Sequence, residues 1–202
     1  MMIIVRRGTR SLAAGLGLLA LLAWPAPRAA AAPRASPQAV IRAWPRRERA
    51  VARAMLEKYG RPAQFDRRQL VWFNKGIWKR TIVYRRSPRF SAKAPDAEFL
   101  QQTVGYIVPA DKIAALERFD PRIEVSPTAG ELGFISDSEG TNLLGLNVAD
   151  EVVTGRRSVS DARAFFARTS RLAASGKSSP FLRKLLFPVD NKRYIAPTGA
   201  DR

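Results

Sequence analysis

The side chains that could do chemistry in this sequence are arginines, lysines and carboxylates, because the 202 residues contain no cysteine and no histidine. That absence excludes Ser-His-Asp and Cys-His catalytic sites, ordinary zinc sites and disulfides. The chain also contains no Ser-x-x-Lys, Gly-x-Ser-x-Gly or P-loop motif. We therefore assign no catalytic residue, no metal ligand and no cofactor from the sequence. The strongest chemical signal is positive charge.

Basic residues are concentrated in one part of the chain. Residues 34–93 contain 17 basic and 3 acidic residues, a net charge of +14, whereas residues 94–202 contain 14 of each and are neutral. A guanidinium group can donate two hydrogen bonds to one phosphate or carboxylate, so this segment suits an anionic partner. A solvated basic face is the alternative explanation. The candidate anion-binding residues are Arg67, Arg68, Lys79, Arg80, Arg85, Arg86 and Arg89.

Two tryptophans lie among these basic residues, in the segment LVWFNKGIWKRTIVYR at 70–85. Exposed beside arginines, Trp72 and Trp78 are candidates for aromatic contact with a sugar ring or a lipid interface. In the alternative they pack in the core of a sheet, and we favour a core position for at least one of them.

Carboxylates offer a second chemistry, which is hydrolysis by a pair of acidic residues. The candidates are Glu124 and Glu131 on a hairpin, Asp150-Glu151 on a helix, and Asp137 and Glu139 near a helix start. The two carboxylates of a glycosidase face each other at about 5–9.5 Å, which sequence spacing does not fix. Helix capping, solvation and ion pairing with the many arginines explain the same acids, and we favour that interpretation.

The N-terminal segment predicts where this chemistry takes place. Residues 1–32 contain a basic start, an apolar run at 11–24 and a segment of small residues. That order is typical of a secretory signal peptide, and the run is shorter than the about 20 residues of a membrane span. An organellar transit peptide is the main alternative, and the Leu- and Gly-rich run argues against it. We expect an exported protein, periplasmic or extracellular, with no transmembrane span in its mature form.

The elements that would position the candidate residues follow from hydrophobic periodicity and turn signals. They are a helix at 46–59, strands on either side of 74–76, a strand at 99–108, a helix at 109–119, a hairpin at 122–136 and helices capped by Ser138 and Ser158. Strands are grouped rather than alternating with helices. We therefore predict a single α+β domain at 46–188, with a mostly antiparallel sheet of about five strands covered by helices on one face.

The segments outside this domain are expected to be less ordered. Residues 33–45 contain three prolines and predict a flexible leader, and residues 189–202 predict a disordered tail. Residues 177–188 alternate apolar side chains with Arg183 and Lys184. They could form a membrane-surface or partner-docking helix, but we favour packing on their own domain because the segment has only about two turns.

The first hairpin is the element that would gather the arginines. If residues 74–76 form a three-residue loop with Gly76 in the left-handed region, Trp72 lies directly opposite Trp78. The same pairing brings Arg67-Arg68 near Arg85-Arg86 at the open end of the hairpin. A two-residue loop is the alternative, and it separates the tryptophans.

Three segments carry a likeness to known proteins, namely KYGRP, LVWFNKGIWKRTIVYR and LNVADEVVTGRRSVSDARAFF. Together, over about residues 46–172, they resemble a family of small exported bacterial proteins of unassigned function. The resemblance implies an exported α+β domain and supplies no catalytic residues. The order of helix, Tyr-Gly-x-Pro and two tryptophan-bearing strands is also similar to small outer-membrane assembly lipoproteins, which carry a lipidated cysteine that this chain lacks.

These features predict an exported, non-catalytic envelope protein that binds an anionic partner through the basic, Trp-bearing hairpin. The partner would be an acidic lipid, an acidic polysaccharide or an acidic protein, and peripheral contact with a membrane is compatible with the charge. Nucleic acid suits the same charge, but export disfavours it as a partner. The alternatives are a carboxylate-based hydrolase and a structural or inhibitory protein that docks another exported protein.

Overall fold

The computed structural model describes residues 36–88 and 98–190. The predicted signal peptide, Arg89 and all of the predicted tail except Val189 and Asp190 lie outside the described residues. The described elements are α1 (Pro37–Ile41), α2 (Arg46–Tyr59), β1 (Gln64–Phe65), β2 (Gln69–Lys75), β3 (Trp78–Tyr84), β4 (Leu100–Gly105), α3 (Ala110–Phe119), β5 (Ile123–Ser126), β6 (Glu131–Ser136), α4 (Glu139–Val153), α5 (Val159–Ala174) and the 3₁₀ helix η1 (Pro180–Leu182).

The strands form one antiparallel sheet in the order β1-β2-β3-β4-β6-β5. Helix α2 packs against β2 and β3, and α4 packs against β4 and β6. The predicted α+β class with a mostly antiparallel sheet is therefore confirmed. The sixth strand is β1, which is only two residues long and pairs with the start of β2.

The core lies between the sheet and the helices in two clusters. One cluster, between α4 and the sheet, includes Phe134 and Leu144. The other, between the sheet and helices α1 and α2, includes Leu70 and Met55. Every residue of α4 from Asn142 to Asp150 is buried. A helix that is enclosed on all sides forms the centre of a domain, so α4 is the element around which the second half of the chain packs.

The described part of the predicted flexible leader, residues 36–45, is ordered in the structure. Ser36 caps α1 by accepting a hydrogen bond from the amide of Ala39, and Pro37 occupies the first turn. Ile41 and Trp44 are only 2% and 3% exposed. Burial of these two large side chains against the cluster beneath α2 orders the segment despite its prolines.

The first hairpin turns through two residues, so the predicted opposition of the two tryptophans is wrong. Lys75 pairs with Trp78, and Trp72 pairs with Thr81. Gly76 has a φ of 59° and takes the first turn position, where both common two-residue hairpin turns require a positive φ. The turn therefore starts later in the chain than predicted, and every pairing along the hairpin changes with it.

Glu139, the first residue of α4, joins three elements. Its carboxylate accepts hydrogen bonds from Lys58 Nζ at 2.7 Å, from the Tyr59 hydroxyl at 3.3 Å and from Trp78 Nε1 at 3.1 Å. Burial, followed by the negative charge of Glu139, raises the pKa of Tyr59 above its ordinary value, so this phenol stays a donor. One side chain thus fixes α2 and β3 against α4.

Residues 177–188 pack on their own domain, as favoured from the sequence. Asn147 of α4 donates from Nδ2 to the carbonyls of Phe181 and Lys184, at 3.0 and 2.8 Å. Its Oδ1 accepts from the amide of Leu186 at 2.8 Å. The side-chain amide thus satisfies three backbone groups of a segment with little regular structure, while Leu185 packs against the core.

We expect Glu139→Ala to destabilise the domain by about 2–3 kcal/mol, because it leaves the buried indole N–H of Trp78 without an acceptor. The matched control is Glu117→Ala on α3, an exposed position, for which we expect a change within about 0.5 kcal/mol. Urea unfolding followed by circular dichroism measures both. Equal stability of the two variants would contradict the role assigned to Glu139.

Candidate functional site

The open end of the first hairpin brings four of the predicted arginines together. The amide of Arg85 donates to the carbonyl of Arg68 at 2.7 Å, which continues the β2–β3 ladder beyond the strands. Arg67 and Arg86 are the adjoining residues, and we call these four residues the arginine cluster. The predicted proximity is confirmed although the register differs, because two antiparallel strands of similar length must meet at both ends.

A tight turn shapes the first half of the cluster. Asp66 Oδ1 accepts hydrogen bonds from the amides of Arg68 and Gln69, at 2.6 and 2.8 Å. This Asx turn holds Arg67 and Arg68 immediately before β2. The carboxylate of Asp66, which directly precedes Arg67, is therefore occupied by backbone donors.

The cluster has a charge that its described surroundings do not neutralise. Within residues 36–88 and 98–190, the side chains of the four arginines form no ion pair, whereas Arg47, Lys58, Arg122, Arg156 and Arg157 elsewhere each have an acidic partner. Arg67, Arg68 and Arg86 are exposed, and Arg85 is half-buried. Four neighbouring cations without acidic partners create a local positive potential that attracts anions.

A cleft of about 300 Å³ adjoins the cluster on the side of α1. Arg67 and Arg85 line it from the hairpin, and residues of α1 and the turn after it line the other side. These are Ala39, Val40, Ala43 and Trp44. The cleft thus combines an apolar wall with two guanidinium groups.

Two buried nitrogen atoms at this cleft have no hydrogen-bond partner among the described residues, namely Trp44 Nε1 and Arg85 Nε. A buried donor without an acceptor costs about 1–3 kcal/mol. Such unsatisfied groups are uncommon in folded proteins and often mark functional positions. Both residues line the same cleft, so two unsatisfied donors belong to one place in the fold.

The other two described members of the predicted anion-binding set lie apart from the cluster. Lys79 Nζ and Arg80 Nη2 contact the carboxylate of Glu131 at 3.2 and 3.3 Å. The Glu131 side chain is only 6% exposed. Lys79 and Arg80 therefore neutralise a buried acid, which explains them without an external anion. Arg89 lies outside the described residues.

Both tryptophans of the hairpin are core residues rather than an aromatic contact surface. Trp72 is 0% exposed and Trp78 is 2% exposed. Each indole N–H has an acceptor, the Gly60 carbonyl at 2.9 Å and Glu139 Oε1 at 3.1 Å respectively. The expectation that at least one is buried is confirmed, and neither ring is accessible to a sugar or a lipid.

The candidate carboxylates of the hydrolase hypothesis have structural partners. Glu124 and Glu131 line one open concavity of about 440 Å³, but Glu124 accepts from Gln101 and Glu131 is paired as described above. Four further acids contact basic residues: Asp137 with Arg47, Glu139 with Lys58, Asp150 with Arg156 and Glu151 with Arg157. The favoured interpretation of these acids as ion-pair and cap residues is consistent with this arrangement.

The contribution of α1 to the candidate site is not predicted from the sequence. The prolines of residues 33–45 favour a flexible leader, although Ser36 followed by Pro37 is a helix-start signal. Ile41 and Trp44 also have helical spacing, as expected of one buried face.

Membrane-spanning helices were sought among residues 36–88 and 98–190, and none of the helices there has the combination of length and hydropathy that a span requires.

Comparison with protein-family models, with curated proteins and with solved structures found no match to this chain. The resemblance to small exported bacterial proteins therefore stays a prediction.

We expect Glu131→Gln to lower the free energy of unfolding by about 3 kcal/mol, because the nearly buried Lys79 ammonium loses its counter-charge. Glu57→Gln on the exposed side of α2 is the control, with an expected change within about 0.5 kcal/mol. Chemical denaturation measures both. If Glu131→Gln were as stable as the control, Glu131 would not be the structural counter-ion described here.

Proposed function

We propose that this protein is exported and binds an anionic partner, without catalysis, through the arginine cluster. The observation that carries the proposal is that Arg67, Arg68, Arg85 and Arg86 adjoin one another with no acidic partner among the described residues. An acidic lipid, an acidic polysaccharide or an acidic protein supplies the phosphate or carboxylate groups that guanidinium binds in two-point fashion.

The proposed binding surface is smaller than the one expected from the sequence. The hairpin acts through its open end, where the arginines lie, because its tryptophans are buried and Lys79 and Arg80 are held by Glu131. Binding through exposed cations predicts an interaction that salt weakens strongly, since mobile ions screen charges beyond about 8–10 Å at physiological salt.

A carboxylate-based hydrolase is the weaker candidate. Such an enzyme needs two acids that face a common substrate, one of them free to give up and take back a proton. Glu131 is nearly buried and contacts two cations, and Glu124 accepts a hydrogen bond from a neighbouring amide. These contacts supply a structural reason for both acids, so we do not propose hydrolysis.

Replacing the four arginines of the cluster by glutamine is expected to weaken binding to heparin and to vesicles that contain phosphatidylglycerol. With about 0.5 kcal/mol for each exposed ion pair, the loss is about 2 kcal/mol, or roughly 30-fold in affinity. The matched control replaces four exposed arginines elsewhere by glutamine and has the same net charge. These are Arg53, Arg118, Arg171 and Arg183.

An equal loss in both quadruple variants would show that net charge alone, and not the cluster, attracts polyanions. Binding that persists at high salt would indicate a specific protein partner instead, as in the structural or inhibitory alternative, because bulk electrostatic attachment is washed away.

Export is tested on the predicted signal peptide, residues 1–32. We expect expression of the full chain in a bacterium to give a shortened protein outside the cytoplasm, with a new N-terminus close to Ala31. The variant Leu18→Arg/Leu19→Arg should retain the full-length protein inside the cell, because two charges interrupt the apolar run that a signal peptide requires. Mass spectrometry of cell fractions measures both, and full-length cytoplasmic protein from the unmodified chain would overturn the proposal of export.

A further inference from the structure

The cleft beside the arginine cluster has a composition that binding to a simple polyanion does not require. Its hairpin side presents Arg67 and Arg85, and its opposite side consists of Ala39, Val40, Ala43 and Trp44. A polyanion needs only exposed cations, and Arg68 and Arg86 already supply these. A ligand that fills the cleft must therefore satisfy an apolar wall and a cationic wall at the same time.

The buried nitrogens add a polar requirement at the same place. Trp44 is 3% exposed, and its Nε1 has no acceptor among the described residues; the same holds for Nε of the half-buried Arg85. Both groups are donors only, so the missing partner is an acceptor.

Resting on the proposed function, we infer that this cleft binds a single-chain amphiphile with an oxyanion headgroup on a short alkyl chain. The headgroup oxygens contact Arg67 and Arg85, and the chain lies along the apolar wall formed by α1 and the turn after it. The volume of about 300 Å³ is at the lower end of the about 300–1,000 Å³ of small-ligand sites, so it fits a short chain or the headgroup end of a longer one.

The headgroup chemistry is that of an oxyanion, and carboxylate and phosphate share it. Octanoate and octyl phosphate are suitable probes for the two, because both are soluble as monomers. Tryptophan fluorescence and titration calorimetry with the purified protein measure binding. We expect saturable binding of at least one probe, roughly tenfold or more tighter than that of acetate or inorganic phosphate, because the alkyl chain leaves water. The neutral analogue octanol should bind more weakly than the better anionic probe.

The variant Ala43→Phe separates this inference from the proposed function. Ala43 lines the cleft and is exposed, so a phenyl group there fills the cleft while leaving all four arginines in place. We expect Ala43→Phe to lose probe binding by about tenfold or more and to bind heparin as the unmodified protein does. The control is Ala114→Phe, at an exposed position on α3, which should change neither probe binding nor heparin binding.

Three results would overturn the inference. The first is that neither alkyl anion binds saturably. The second is that Ala43→Phe leaves probe binding unchanged, and the third is that octanol binds as tightly as the better anionic probe. If heparin binding depends on the arginine cluster while neither probe binds, the proposed function stands and the inference fails. If neither heparin nor probe binding depends on the cluster, both fail. If circular dichroism shows that Ala43→Phe does not fold, Ala39→Phe, which lines the same cleft, takes its place.

Discussion

The position of the candidate site depends on one carboxylate, Glu139, which joins three elements that are far apart in the sequence. It accepts hydrogen bonds from Lys58 and Tyr59 at the end of α2 and from Trp78 at the start of β3. A carboxylate that is only 20% exposed needs such donors, because desolvation without them is costly. The buried indole needs an acceptor for the same reason, so each partner constrains the other.

That junction fixes one end of β3, and the antiparallel ladder determines where the other end lies. β3 pairs with β2 from Trp78 to Tyr84, and it pairs with β4 on its other side. Arg85 and Arg86 follow directly, opposite the turn that Asp66 holds together. The arginine cluster is thus positioned by a sheet anchored in the core, which limits the backbone freedom that is lost on binding.

Local features of the fold could be predicted from the sequence. The bounds of α2 agree with the predicted helix at 46–59, and Ser138 and Ser158 cap α4 and α5 as expected. These features depend on residues within one or two turns of each other, where capping and periodicity act. The register of the first hairpin could not be predicted, because a two-residue turn and a three-residue turn both satisfy the local preferences of Gly76. In the register that the structure adopts, both tryptophans are buried.

The sequence by itself determined that cysteine and histidine chemistry are absent, that most of the net positive charge lies within residues 34–93, and that the fold is α+β. Composition and short-range periodicity contain this information. Only the tertiary structure decided which cations have acidic partners, since Glu131 lies far along the chain from Lys79 and Arg80. It also placed α1 beside Arg67 and Arg85 and so created a cleft with one apolar and one cationic wall. Contacts between distant segments depend on how the core packs, and no local pattern specifies that.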